Sequence, residues 1–433
     1  MSPATWGIVG IGFFLLLLTI GVPVGFSLLI GGFTGIIFAA GFDVALNMLM
    51  LVPFSTTAKY SMVVLPLFVL MGEFASCGGL SREAYNFMHK ALGHMPGGVT
   101  MASIAGCAAF AAVCGSSMAT AVTMGTVALP EMIRYKTDKA LATGALAAGG
   151  TIGILIPPSI GFIVYAIITE NSIGKLFIAG LIPGILMSLL FMLTIFLMTR
   201  FNPSLSPPAP RAKRQEILRA SIKSWGIIFL FVTVIGGIYL GIFTPSEAAG
   251  IGACGAFLLS LFKGKLTWQS FWIATLNAGK TTGMIFVIII GAFMFGYFLT
   301  VTELPAMLSD FIIGLPFDRF FILIIILFFY IFLGCIMDII AGMLTTMPII
   351  YPVVQTLGFD PIWFGVIAVI VMEMGMITPP VGLNVFAIAG TADNIPVGTI
   401  FRGILPFLIA MFVCLIILML FPQISLFLPN LLK

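Results

Sequence analysis

Gly149-Gly150-Thr151-Ile152-Gly153-Ile154-Leu155-Ile156-Pro157-Pro158-Ser159-Ile160-Gly161 lies in a run apolar enough to cross a bilayer, yet two adjacent prolines stand near its centre. Neither proline donates a backbone N–H, and both rings clash with the preceding turn, so an uninterrupted helix is impossible here. The carbonyls of residues 153–156 therefore lose their helical partners. In hydrocarbon an unpaired carbonyl costs several kcal/mol unless protein, water or an ion satisfies it. A helix broken at membrane depth is a place to bind something.

The break recurs. Glu373-Met374-Gly375-Met376-Ile377-Thr378-Pro379-Pro380-Val381-Gly382 repeats the Gly-x-x-x-Pro-Pro pattern, with Pro379 at an offset of 222 residues from Pro157. Downstream, Thr169-Glu170-Asn171-Ser172-Ile173 faces Thr391-Ala392-Asp393-Asn394-Ile395, and Gly180-Leu181-Ile182-Pro183 faces Gly403-Ile404-Leu405-Pro406 with one residue inserted. Paired Gly/Pro-interrupted apolar segments at matching positions in two halves point to a secondary transporter with its site at the repeat interface. Proline kinks in an inert bundle would not need a shared glycine before them and shared polar residues after them.

Composition agrees. The 433 residues are 61% hydrophobic and 8% charged, with a mean hydropathy of +1.22, whereas a soluble domain carries roughly a quarter charged residues. At about 20 apolar residues per span, the apolar runs predict roughly ten to twelve spans plus several shorter segments. The period-2 alternation of a membrane barrel is absent. The net charge is only +4, but Arg200, Arg211, Lys213, Arg214, Arg219 and Lys223 face the single acid Glu216. This bias puts residues 200–223 in the cytoplasm, and a short basic loop between spans needs no nucleic acid to explain it. Cys77, Cys107, Cys114, Cys254, Cys335 and Cys414 form no C-x-x-C pair and read as buried small hydrophobes. Residues 1–20 lack a basic n-region and a cleavage site, so they read as a retained first span.

Taken in order, residues 1–96 hold N-terminal spans and interfacial scaffold segments, the latter at 42–60 and 82–94. His89 and His94, the only histidines, lie five apart on different helix faces and make no metal site. Residues 97–199 form the first repeat: small residues around Gly115-Ser116-Ser117 predict a re-entrant hairpin ahead of the first break. The Pro-rich basic stretch 200–223 is a connector, and 224–317 are scaffold spans. There Thr244-Pro245-Ser246-Glu247 reads as a capping box. Asn277-Ala278-Gly279-Lys280-Thr281 resembles the end of a phosphate-binding loop, but Ala274 stands where its first glycine belongs, so no nucleotide site is encoded and ATP does not drive this chain. This stretch is read as lying between membrane segments. Residues 318–433 form the second repeat. Its hairpin tip at Gly334-Cys335-Ile336-Met337-Asp338 aligns Gly334 with Ser116 and Pro348 with Pro130, both at an offset of 218, and Asp338 with Thr120.

Two hairpin tips and two broken helices would bring together unpaired carbonyls, small hydroxyls and half-helix dipoles. Such oxygens suit a partly dehydrated monovalent cation, and half-helix N-termini attract a carboxylate, so sodium plus an organic anion is the economical reading. An ionisable residue at membrane depth is functional by default. Asp338 and Glu373 flank the second hairpin and break, making proton coupling the competing mechanism; capping of a half-helix is the structural alternative for Asp338. A channel would need a continuous polar lining, and an intramembrane enzyme a Ser/His, Asp/Asp or metal constellation. Neither pattern is present.

Gly149 to Ser159, with Gly334-x-x-x-Asp338 and Thr378-Pro379-Pro380-Val381-Gly382, resembles the DctM-type large membrane subunit of tripartite ATP-independent periplasmic (TRAP) transporters over essentially the whole chain. The resemblance implies an all-α polytopic membrane protein of two inverted repeats, with re-entrant hairpins and Pro-Pro-interrupted helices, built as an elevator-type scaffold plus transport domain. It implies residence in the bacterial inner membrane and sodium-coupled uptake of an organic anion of the C4-dicarboxylate, sialic acid or sugar acid class. It further implies a small four-helix membrane subunit, separate because this chain begins with the large subunit's first span, and a periplasmic binding protein that delivers substrate. No cofactor beyond the coupling sodium ions is implied. Carried over by motif, one sodium site uses Gly334, Gly375, Thr378 and Val381, and the repeat places its twin at Ser116, Gly153, Ile156 and Ser159. Ile156 stands where the second break has Thr378, so one hydroxyl is missing from the twin. Ser117, Asn384 and the backbone near Pro158 are the substrate candidates. A proton-coupled organic anion transporter working without a binding protein is the alternative.

Overall fold

Proline and glycine divide the chain largely where the sequence places them. The computed structural model describes residues 3–314, 316–392 and 395–431, and among these every regular element is helical. Helices α1 (Pro3–Thr19) and α2 (Val24–Ala40) stop on either side of Gly21-Val22-Pro23, where Gly21 takes a φ of +86° that a side chain would disfavour. The segment α3 (Phe42–Thr57) and a 3-10 turn lead into α4 (Val64–Cys77), and the amphipathic α5 (Leu80–Leu92) follows.

The first repeat begins with a helical hairpin, α6 (Gly98–Cys114) and α7 (Ser117–Arg134). The broken helix comes next: α8 (Lys139–Leu155) and α9 (Ile160–Thr169) are bent by 43° at the Pro-Pro break. The long α10 (Ile173–Phe201) completes this half. After the connector come α11 (Arg214–Lys223), α12 (Trp225–Phe231), a π turn over Val232–Gly236 and the short α13 (Gly237–Tyr239). The helix α14 (Pro245–Phe262) starts at the expected capping box: Glu247 N donates to Thr244 Oγ1 at 3.3 Å and Thr244 N to Glu247 Oε2 at 2.8 Å. Then follow α15 (Trp268–Val301) and α16 (Leu304–Ile313). The second hairpin is α17 (Arg319–Gly334) and α18 (Ile339–Thr356), the second broken helix α19 (Pro361–Met376) and α20 (Leu383–Ala389), and α21 (Val397–Leu420) and α22 (Gln423–Leu431) end the described chain.

Two packing groups result. In one, α2 lies along α15 while α4 packs on α14 and α15. Glycine allows this approach, since a Cβ at Gly32 would fall 2.7 Å from the backbone N of Phe295. In the other group α8 is central, surrounded by α6, α7 and α21, and α17 packs on α19.

The structure departs from the sequence reading in several places. Among the described residues six helices are long and apolar enough to cross a membrane by length and composition, eight if each of two bent pairs counts once, against the expected ten to twelve. The remaining apolar runs are helices of 10–17 residues, divided at Gly21-Val22-Pro23 and Gly41 in the N-terminal part and at the hairpin tips and the second Pro-Pro break further on. Residues 277–281 lie inside α15, one continuous helix of 34 residues, not between segments. At 1.5 Å per residue α15 is about 51 Å long. Conversely, the expected span after Ser224 is interrupted by the π turn. Cys254 is exposed and Cys77 half-buried, whereas the other four cysteines are buried and all six are free. The connector is docked rather than loose: Asp138 N donates to Leu205 O at 2.7 Å and Ala209 N to Gly93 O at 2.8 Å. Ser206 Oγ also lies 2.9 Å from Thr100 Oγ1.

The hairpins also change the repeat register. The helices Ser117–Arg134 and Ile339–Thr356 are both 18 residues long, with starts and ends both displaced by 222 residues, as are the two Pro-Pro breaks. Asp338 therefore corresponds to Ser116, not to Thr120, and Pro352, not Pro348, to Pro130. The second hairpin helix contains two prolines four residues apart, so matching the first of them shifts the alignment by about one helical turn. In the downstream match, Asp393 and Asn394 lie outside the described residues.

Candidate functional site

Each repeat seats its hairpin tip on its own broken helix, through backbone atoms. In the first, Ser116 ends the tip and caps α7, accepting from Ala119 N at 3.4 Å. Gly115, at a φ of +70°, accepts from Ile160 N at 3.1 Å through its carbonyl. A Cβ on Gly115 would fall 2.5 Å from Pro158 O, and one on Gly153 would fall 2.7 Å from Ser116 O and 2.5 Å from Thr120 Oγ1. Only glycine permits this contact. Ser159 caps α9 by accepting from Phe162 N at 3.2 Å, and Ile156, at the end of α8, packs against Gly184 of α10. Ser116, Gly153, Ser159 and the Pro158 carbonyl are thus gathered at one crossing, while the Ile156 side chain turns to the neighbouring helix.

The second repeat does the same with different side chains. A Cβ on Gly375 would fall 2.5 Å from Ile331 O and 2.6 Å from Gly334 Cα, so α17 and α19 touch backbone to backbone. Gly382 N, at the position of Ile160 in the first repeat, donates to Cys335 O at 3.4 Å, two residues before the match of Gly115. Thr378 N donates to Gly375 O at 2.8 Å and Thr378 Oγ1 to Met374 O at 2.6 Å, which leaves the hydroxyl lone pairs free to accept. Val381 lies in the same non-helical turn. Asp338 caps α18, its Oδ2 accepting from Ile340 N at 3.2 Å.

The two crossings meet. Ser117 Oγ, on the first tip, lies 3.9 Å from Met376 Sδ on the second broken helix. Glu373 is 0% exposed, and neither carboxyl oxygen has a hydrogen-bond partner of normal geometry among the described residues. The Ser117 hydroxyl and the Asp338 carboxylate are the polar groups that bear on it. Among the described residues, neither amide atom of Asn384, also 0% exposed, has a partner, and the Thr120 hydroxyl has none of normal geometry, the Cys114 thiol being the group that bears on it. Buried polar groups are nearly always satisfied, so Thr120 on the first hairpin and Glu373 and Asn384 on the second broken helix make these elements a candidate binding region, although a buried atom without a partner also occurs elsewhere, at Ser425 Oγ.

A cavity of about 1820 Å³ opens beside the tips. Ser116, Asp338 and Thr345 line it from the hairpins, and Glu73 of α4 and Met284 of α15 from the opposite wall. Glu73 is hydrogen-bonded by the Asn277 side chain. Among the described residues no cluster of three His, Cys, Asp or Glu side chains could hold a metal ion. Sequence reasoning missed Thr120 as a site residue. Its position one turn after the Ser116 cap, on the face toward Gly153, was the available signal.

The sequence matches, over residues 11–424, the family described as "Tripartite ATP-independent periplasmic transporter, DctM component". It is 38% identical to the C4-dicarboxylate TRAP transporter large permease protein DctM of Pseudomonas aeruginosa, over 87% of this chain and 88% of that one. It is 31% identical to the sialic acid TRAP transporter large permease protein SiaM of Vibrio cholerae, over 96% of each chain. The 2,3-diketo-L-gulonate TRAP transporter large permease protein YiaN of Escherichia coli is 31% identical over 94% of this chain and 95% of its own. In fold, the chain is similar to the Alcanivorax borkumensis YdaH transporter, with a TM-score of 0.60 and 16% identity over 87% of this chain and 88% of that one. These relatives are transport proteins rather than enzymes. The protein is a multi-pass protein of the inner membrane, and it belongs to the DctM family, the DctM-type large subunits of TRAP transporters.

Proposed function

We propose that this chain is the translocating subunit of a sodium-coupled importer of organic acids. The observation that carries the reading is the pair of tip-on-break crossings, where backbone carbonyls converge and Thr120, Glu373 and Asn384 bury polar atoms that have no partner of normal geometry among the described residues. One sodium ion is held by Gly334, Gly375, Thr378 and Val381, another by Ser116, Gly153, Ile156 and Ser159, mainly through backbone oxygens. The corrected repeat register makes the two unequal. The second crossing has the Asp338 carboxylate and the Thr378 hydroxyl where the first has Ser116 and Ile156, so the second holds its ion more tightly. The substrate anion lies between them, against Ser117, Asn384 and the backbone at Pro158. Its class is that of C4-dicarboxylates, sialic acid or sugar acids, the compounds in the relatives' names. A periplasmic binding protein delivers it, and a small four-helix membrane subunit completes the transporter.

The packing supports an elevator arrangement. The hairpins and broken helices move together as two inverted repeats, and α2, α4, α14 and α15 form the static wall across the cavity. A second reading is favoured by one observation: Glu373, buried without a normal partner, is placed to carry a proton. It makes the chain a proton-coupled transporter that needs no binding protein. Uptake of labelled organic acids into proteoliposomes, with sodium or proton gradients imposed separately and the binding protein added or withheld, tests both. The sodium reading predicts uptake that requires sodium and the binding protein and survives Glu373→Gln. Uptake driven by protons alone and abolished by Glu373→Gln would overturn it.

A further inference from the structure

The basic connector has a feature that membrane orientation alone does not require. Its helical end, α11, is bent by 46° against the segment Trp225–Tyr239 that follows it. Across that bend Leu218, Ile222, Trp225 and Phe229 recur at spacings of four, three and four residues, and all are exposed, Leu218 and Ile222 each to 62%. One apolar stripe therefore runs unbroken from the surface helix into the membrane-directed segment. The opposite face is occupied: α11 packs on α5, Ala220 is buried, and Ser224 Oγ donates to Glu83 O at 2.9 Å. The stripe thus points away from the protein.

Charge flanks the stripe. Arg211, Lys213, Arg214, Arg219 and Lys223 are exposed, with Glu216 the only acid among them. Lys263, at the end of α14, pairs with Glu83 and donates to Lys223 O at 3.5 Å, which holds the end of α11 beside the end of α14. Exposed Lys265 and Trp268 follow Lys263 within five residues, and exposed Trp225 follows Lys223 by two. Tryptophans prefer the headgroup level of a bilayer. A helix lying there, apolar on its free side and cationic on its flanks, meets acyl chains with one and lipid phosphates with the other.

We propose that α11 is a seat for anionic phospholipid on the cytoplasmic surface. Leu218 and Ile222 dip into the acyl layer, and Arg214, Arg219 and Lys223 hold the phosphates. Each surface cation near an anionic bilayer strengthens attraction about fivefold, so the three together give a preference well above tenfold, weakened by salt.

The test is native mass spectrometry of the full-length protein in detergent, titrated with phosphatidylglycerol or with phosphatidylcholine. The expected result is at least tenfold tighter retention of phosphatidylglycerol. This preference should vanish in Arg214→Gln/Arg219→Gln/Lys223→Gln and persist in Arg214→Lys/Arg219→Lys, which keeps the charge and guards against misfolding of the first variant. Equal retention of both lipids by the wild type would overturn the proposal. So would co-purification of the small membrane subunit that Leu218→Ser/Ile222→Ser abolishes while the lipid preference stays intact, because the stripe would then be a protein interface.

Discussion

Replacing Gly375 by Ala adds one methyl group at the place where α17 and α19 touch. The new carbon would sit 2.5 Å from Ile331 O and 2.6 Å from Gly334 Cα and C, all of them backbone atoms that no rotamer change can move. Ordinary contact begins near 3.4 Å, so the two helices must separate by about 0.9 Å. Overpacking of this kind costs roughly 1–3 kcal/mol. The same displacement pulls apart two of the oxygens assigned to the second sodium ion, and a metal site tolerates only about 0.2 Å. If the loss falls on the ion, the sodium concentration for half-maximal uptake rises by about 5- to 150-fold. Sodium-dependent uptake in proteoliposomes, beside thermal unfolding in detergent, separates the two effects. Gly398→Ala is the control, because a Cβ there meets open space. An unchanged sodium half-saturation in Gly375→Ala, whatever its stability, would refute the placing of the ion between α17 and α19.

Three further outcomes follow from the same geometry. Thr378→Val removes a hydroxyl but keeps the shape, and should weaken sodium activation about tenfold, a loss of about 1.4 kcal/mol, while the unfolding midpoint stays near that of the wild type. Tyr165→Phe removes the bond that Tyr165 Oη donates to Pro361 O at 2.7 Å, which ties α9 to the start of α19. It should cost about 1–2 kcal/mol in chemical unfolding without changing sodium half-saturation. On the surface helix α5, burial lowers the His89 imidazole below its ordinary value of 6.5; Glu131 opposes the shift, and Lys90 and Arg134 add to it. The unfolded chain then takes up the proton first, so this contribution to stability is present above pH 6.5 and is lost as the pH falls below it. Unfolding midpoints between pH 7.5 and 5.5 should fall, and His89→Gln should flatten that slope.

The two breaks were legible because proline acts locally. No tertiary context restores the N–H that Pro157 and Pro158 lack, so the ends of α8 and α9 follow from the sequence alone. The Thr244 capping box is local in the same sense. The hairpin tips were legible in place but not in register, because Pro348 and Pro352 offer two alignments and only the cap positions Ser116 and Asp338 choose between them. The span count failed for a related reason: hydropathy does not distinguish a half-length helix meeting its partner at a tip from a full span. Thr120 left only its place one turn after the Ser116 cap as a signal, and the packing around Glu373 and Asn384 was not legible at all. They depend on which helices cross, and that is decided by glycines at backbone contacts such as Gly153 on Ser116 and Gly375 on Gly334.

Organic acid movement through the paired crossings is, on the proposed mechanism, tied to sodium. Counting radiolabelled sodium and labelled organic acid entering the same proteoliposomes, with the membrane potential clamped, tests it most directly. Sodium coupling requires that the two enter in a fixed ratio, that withholding the binding protein stops both, and that Thr378→Val lowers both together. Organic acid entering without sodium, at a rate set by the proton gradient, would contradict it.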